Sequence, residues 1–185
     1  MRILLVVLFL CAGLFADRDG GPYLGAGYGI SKYNDDGLYN TLKSDTSNAA
    51  TLYAGAYINK HLSVELGYVN FDAWHVGKEY AVDELQKMGF EAITISTLAH
   101  YPFFENLLDF YARFGVGNLS TNTLGADGFT MVVGGGVGLR LDEMLSLKIA
   151  YDMYNFNYLD ETNPNNTIKY DMHIDYFYTA LEVQF

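Results

Sequence analysis

Eight segments of the chain alternate in side-chain character with a period of two, and no other feature of the sequence limits the fold as tightly. In the first, residues 22–33, Leu24, Ala26, Tyr28 and Ile30 share one face and Gly25, Gly27, Gly29 and Ser31 share the other. The pattern recurs over 49–59, 61–72, 91–101, 108–118, 129–141, 144–156 and 174–185. A period of two puts alternate side chains on opposite faces of a β-strand. Each segment runs ~10–13 residues, longer than the ~5–6 of an ordinary soluble strand and close to the ~9–11 that a tilted strand needs to cross a bilayer. The links alternate as well. Residues 59–61, 102–107 and 142–143 are short, whereas 34–48, 73–90, 119–128 and 157–173 are longer and polar.

A soluble sandwich also alternates, so three further features decide. Only 18% of the chain is charged, against the ~25% that coats a soluble domain, and the less apolar face is Gly, Ser and Thr with isolated charges. Aromatic residues gather toward segment ends: Tyr23, Tyr33, Tyr68, Phe71, Trp74, Phe90, Tyr101, Phe110, Tyr151, Tyr154, Phe156, Phe177 and Phe185. That placement predicts interfacial girdles. The last segment also alternates and ends on Phe185. Open sheet edges cannot face hydrocarbon, so such a sheet must close on itself. Residues 17–185 are therefore expected to form an all-β fold, an eight-stranded antiparallel up-and-down transmembrane β-barrel. Its short turns and both termini are expected on the periplasmic side, and its longer loops outside.

The first 16 residues read as a secretory signal peptide: Arg2, the apolar run Ile3 to Leu10, then Cys11-Ala12-Gly13-Leu14-Phe15 and the small residue Ala16 before the polar start at Asp17. Cleavage is expected after Ala16. A lipid anchor on Cys11 is disfavoured by the bulky Phe9 and Leu10 before it, and the apolar run is too short to span as a helix. Removing this segment deletes the chain's single Cys. That fits an exported protein, here one expected in the outer membrane of a Gram-negative cell, and a single Cys excludes a disulfide framework. The net charge of −11 argues against a nucleic-acid partner, which would need a basic patch.

Several stretches resemble the transmembrane barrel of the OmpA-type family. They are Tyr23-Leu24-Gly25-Ala26-Gly27-Tyr28-Gly29, Gly55-Ala56-Tyr57-Ile58-Asn59 running into Val64-Glu65-Leu66-Gly67-Tyr68, Asp109 to Gly115, Gly134 to Val137, and the closing Ala180 to Phe185. Their order and spacing cover nearly all of 22–185. The resemblance implies a non-enzymatic envelope protein whose terminal Phe185 is read by the barrel assembly machinery. Many members continue into a peptidoglycan-binding domain; this sequence ends at Phe185, so tethering through such a domain is not implied. In the family, inward ion pairs close the lumen. Glu65, Arg113 and Lys148 match inward charged positions there, while others fall on Leu98, Gly138 and Ala150.

On the inward face the charged residues are Glu65, Asp109, Arg113, Arg140, Lys148, Asp152 and Glu182. Counting along each strand places Glu65, Arg113, Lys148 and Glu182 at similar height in the periplasmic half. These four are expected to form one hydrogen-bonded lumen ion-pair network, with two acids balancing two bases. The expected role is structural or surface-interacting, with a closed lumen. The alternative is a small-conductance porin, and behind it an outer-membrane lipid-modifying enzyme. His61-Leu62-Ser63 resembles the His-x-Ser pair of lipid A deacylases, but it falls at a short turn on the wrong side of the membrane. No G-x-S-x-G or P-loop is present, and no helix follows the Gly clusters at 25–29 and 134–138, so no catalytic residue, metal or cofactor is expected. Outer-membrane lipids and lipopolysaccharide are the expected surroundings of a monomer. The long loops carry Asp35, Asp36, Asp160 and Glu161, and residues 79–88 before Gly89 read as a short helix.

Overall fold

The computed structural model describes residues 20–34, 42–76, 87–104, 106–121, 128–160 and 168–185. The strands are β1 (Gly21–Asn34), β2 (Leu42–Ser44), β3 (Thr46–Asn59), β4 (Leu62–Val76), β5 (Lys87–Phe103), β6 (Leu108–Thr121), β7 (Gly128–Arg140), β8 (Leu145–Asp160) and β9 (Ile168–Gln184). The three-residue β2 sits against β4, so eight long strands form the wall. Each pairs antiparallel with its neighbour in sequence, and β1 pairs with both β3 and β9. The sheet is thus a closed up-and-down barrel with no free edge in the wall.

The alternation sets which face looks outward. Leu24, Tyr28, Ile30, Leu52, Leu66, Ile93, Ile95, Phe114, Ile149 and Leu181 are all exposed on the outer surface. Their partners in the pattern point in, where Glu65, Ser63, Thr94, Ser96, Arg113, Lys148, Asp152 and Glu182 are buried. An apolar exterior around a polar interior inverts a soluble protein and fits hydrocarbon.

The strands run longer than the alternation alone predicts. The β8–β9 ladder continues through Asn157↔Asp171 to Asp160↔Ile168, and β4–β5 through His75↔Lys87. Beyond the bilayer the outward face need not be apolar, so the pattern fades while backbone pairing goes on. The helix expected over 79–88 is corrected at its end: Lys87 and Met88 belong to β5, and the rest lies outside the described residues. The acids Asp35, Asp36 and Glu161 and the signal segment 1–16 also lie outside them.

The girdle reading needs correction. Tyr68, Tyr101, Phe110, Tyr151 and Phe177 do face outward. Tyr23, Tyr33, Phe71, Phe90, Tyr154 and Phe156 are buried in the lumen. They stand on the inward parity of their strands, and parity rather than position along the strand decides the face.

The short-turn rim is stitched by backbone hydrogen bonds. His100 N donates to His61 O at 2.9 Å, Arg140 N to Leu107 O at 2.9 Å, Gln184 N to Met144 O at 2.8 Å and Phe185 N to Pro22 O at 2.9 Å. Asp142 Oδ1 accepts from the amides of Met144 (2.7 Å) and Leu145 (2.9 Å), fixing the β7–β8 turn. Those two donors hold the Asp142 carboxyl below the usual aspartate range.

Candidate functional site

The lumen is filled in two storeys. Toward the long-loop end it is aromatic. Tyr33 stacks on Phe90 (5.4 Å between ring centroids), Phe90 meets Phe156 (5.6 Å), and Phe71 packs edge-on against Tyr154 (5.3 Å) and Tyr176 (5.7 Å). Tyr176 stacks on Tyr178 at 4.5 Å. Tyr33 Oη donates to Met172 Sδ at 3.2 Å.

Toward the short-turn end the lumen is charged. Arg113 on β6 is the centre: its Nη2 pairs with Glu65 Oε1 on β4, and its Nη1 lies 2.6 Å from Asp152 Oδ2 on β8. Tyr178 Oη donates to the same Asp152 oxygen at 3.0 Å. Beside this group Lys148 Nζ pairs with Glu182 Oε2, and Tyr57 Oη donates to Glu182 Oε1 at 3.2 Å. The Lys148 ammonium lies 5.2 Å from the ring centroid of Tyr23, 5.5 Å from Tyr53 and 5.2 Å from Tyr111. Aromatic faces replace part of the lost hydration of a buried ammonium.

Glycines make room for these rings. Across the β1–β3 ladder Tyr23 stands opposite Gly55, and Gly25 opposite Tyr53. A Cβ on Gly25 would fall 2.1 Å from the Tyr53 ring, and one on Gly55 would fall 2.3 Å from the Tyr23 ring. The Gly-rich run of β1 therefore serves as a slot for tyrosines, not as a phosphate cradle.

The four charged residues singled out from the sequence thus lie close together, with two differences from the expected arrangement. They form two ion-pair groups bridged by Tyr23, whose hydroxyl donates to Glu65 Oε2 at 3.2 Å while its ring faces Lys148. A third acid, Asp152, completes the Arg113 group, so three carboxylates face two bases. Asp152 was visible as an inward charge, but pairing it with Arg113 needs the relative height of β6 and β8, which alternation does not supply.

Sequence reasoning missed a further constellation. His100 on β5 lies between Ser63 on β4 (Oγ to Nε2, 2.8 Å) and Asp109 on β6 (Nδ1 to Oδ2, 2.6 Å). His61 does not pair with Ser63; its Nδ1 lies 3.2 Å from the His100 carbonyl. Arg140, at the same mouth, donates to Gln184 Oε1 at 2.7 Å. A pocket of about 60 Å³ opens there, lined among others by Tyr57, Lys60, Asp109 and Arg140. Among the described residues no group of three His, Cys, Asp or Glu side chains could hold a metal ion.

The family described as outer membrane protein beta-barrel domain matches residues 3–176. The chain belongs to that family. It is a protein of the bacterial outer membrane, a setting in which such barrels keep their short turns on the periplasmic side and their longer loops outside. No curated protein matches it. Among solved structures the barrel is similar to Neisserial surface protein A, with a TM-score of 0.58 at 14% identity over 90% of this chain and 99% of that one. It is similar to OprG of Pseudomonas aeruginosa, with a TM-score of 0.60 at 12% identity over 92% of this chain and 99% of that one. Ail, the attachment invasion locus protein of Yersinia pestis, gives 0.55 at 12% identity over 90% and 99%. At such identities these likenesses speak for the fold.

Proposed function

We propose that this barrel is a non-enzymatic, non-conducting scaffold that displays its long-loop rim at the cell surface. The observation that carries the reading is the filled lumen. Arg113, Glu65, Asp152, Lys148 and Glu182 are all at least about nine-tenths buried, and the aromatic storey sits above them. A barrel of eight strands has an interior just wide enough for its own side chains, and here both halves of the interior are occupied. Function then falls to the rim, since a rigid wall is a platform for loops. Two of the similar structures are named Neisserial surface protein A and the attachment invasion locus protein. Ail has been solved with the heparin analogue sucrose octasulfate. With a net charge of −11 this chain is poorly suited to such a polyanion, which favours a cationic partner or contact through bridging cations.

In this reading the apolar exterior contacts outer-membrane lipids and lipopolysaccharide as a monomer. Phe185, half-buried beside Pro22 at the periplasmic rim, is the residue presented to the barrel assembly machinery. Single-channel recording of the refolded protein tests closure. The wild type should show no steady conductance, and Arg113→Ala should raise it. A wild type that conducts steadily overturns the reading.

A further inference from the structure

Ser63, His100 and Asp109 stand in the order of a hydrolase triad, but no substrate can reach the hydroxyl. Ser63 is fully buried, and the Tyr57 ring packs 5.0 Å from the imidazole. The hydroxyl faces a phenol instead: Tyr23 Oη lies 3.2 Å from Ser63 Oγ and 3.2 Å from Glu65 Oε2. At the other end Asp109 is about a quarter exposed and lines the periplasmic pocket. A hydrogen-bonded line therefore runs from the periplasmic mouth through Asp109, His100, Ser63 and Tyr23 to Glu65, one of the two acids paired with Arg113.

We propose that His100 is a proton-binding site at the periplasmic mouth, wired through Ser63 and Tyr23 to the Glu65–Arg113 pair. The proposal rests on the reading that this pair helps to close the lumen. Histidine is the side chain that ordinarily changes charge between pH 5 and 8. The groups facing His100 are Asp109 and Tyr111 on β6, Ser63 on β4, Tyr57 on β3 and His61 in the β3–β4 turn. Lys148 lies across the Tyr111 ring, 5.2 Å from its centroid. Of these, Asp109 is the carboxylate in direct contact, at 2.6 Å from Nδ1.

The donors along the line reverse when the proton binds. With a neutral imidazole, Nδ1–H donates to Asp109 and Nε2 accepts from the Ser63 hydroxyl. Ser63 Oγ is then open to Tyr23, whose one hydroxyl proton divides between Ser63 and Glu65. A second proton on the imidazole makes Nε2 a donor. Ser63 must then accept from His100, so its own proton turns to Tyr23 Oη. Tyr23 is left with Glu65 as acceptor. Acid on the periplasmic side thus fixes Glu65 in place opposite Arg113, and neutral pH loosens it. Only rotations of hydroxyls are needed, and the proton comes from water in the mouth.

The test is nuclear magnetic resonance of the refolded barrel labelled with ¹⁵N-histidine and ¹³C-glutamate, titrated from pH 8 to 5. His100 is assigned through His100→Gln, and Glu65 through Glu65→Gln. The imidazole nitrogens of His100 and the carboxyl carbon of Glu65 should move with one shared midpoint. In Ser63→Ala and in Tyr23→Phe, His100 should still titrate while the Glu65 response at that midpoint is lost. Three results would overturn the wire: a His100 that does not titrate in this range, a Glu65 signal that ignores it in the wild type, or a Glu65 response that survives both substitutions. The closed-lumen reading fails on a different measurement, the conductance of Arg113→Ala and the wild type.

Discussion

Arg113 holds two acids from two strands, so its removal leaves Glu65 and Asp152 without their cation. Truncating one partner of a buried ion pair costs roughly 3–5 kcal/mol, because the abandoned charge stays buried. Arg113→Ala should lower the unfolding free energy read from a urea titration accordingly, whereas Lys32→Ala should change it by less than about 1 kcal/mol. Lys32 also has an acid partner, Asp45 at 3.3 Å, but the two side chains are 61% and 47% exposed. Gly55→Ala probes the slot that receives Tyr23. A methyl group there meets the phenol ring and the Val64 carbonyl, 2.6 Å away. Overpacking of this kind costs about 1–3 kcal/mol, to be read from the same titration. At this scale the sequence was half legible. Parity gave the inward face of Glu65, Arg113, Lys148 and Glu182, because a strand leaves only two choices. It did not give Asp152 as the second partner of Arg113, nor His100 between Ser63 and Asp109. Those contacts depend on how far each strand slides against the next, and nothing in a two-residue period encodes the slide.

Elements were more legible than residues, and their ends least so. All eight long strands lie where alternation predicts them, because hydrocarbon outside and a polar lumen inside impose a different chemistry on each face. β4, β5, β8 and β9 then run on into stretches that read as loop, such as Asn157↔Asp171, where water on both sides removes the contrast. Leu147 on β8 tests the lipid face: it points outward, between Leu139 on β7 and Leu181 on β9. Leu147→Arg should cost ~2–4 kcal/mol when refolding into vesicles is titrated with denaturant. Ser146→Arg, aimed into the mouth pocket, should cost less. If both changes are equally harmless, the facing of β8 is wrong. The β7–β8 turn makes a pH prediction. The Asp142 carboxyl is held low by two amides, so its contribution is present above the usual aspartate pKa of ~4 and is lost as pH falls through the lower folded value. The unfolding midpoint of the wild type should therefore drop more steeply on the acid side than that of Asp142→Asn.

As a whole molecule the barrel should fractionate with outer membranes. It should migrate differently on a detergent gel before and after boiling, since a closed sheet resists detergent until heated. Recovery as a soluble periplasmic protein with no such shift would contradict the apolar exterior. The architecture was the most legible level of all: an even number of membrane-length strands with no tolerable edge leaves closure as the physical solution.

The seam of that closure joins the first strand to the last, with Tyr23 facing Gln184 and Asn34 facing His173. Those partners come from opposite ends of the polypeptide, so this ladder carries the largest loss of chain freedom and has the least local help in forming. A chain without β9 cannot complete this ladder, so β1 keeps an unpaired edge, and the wall can close only when the last strand reaches the first.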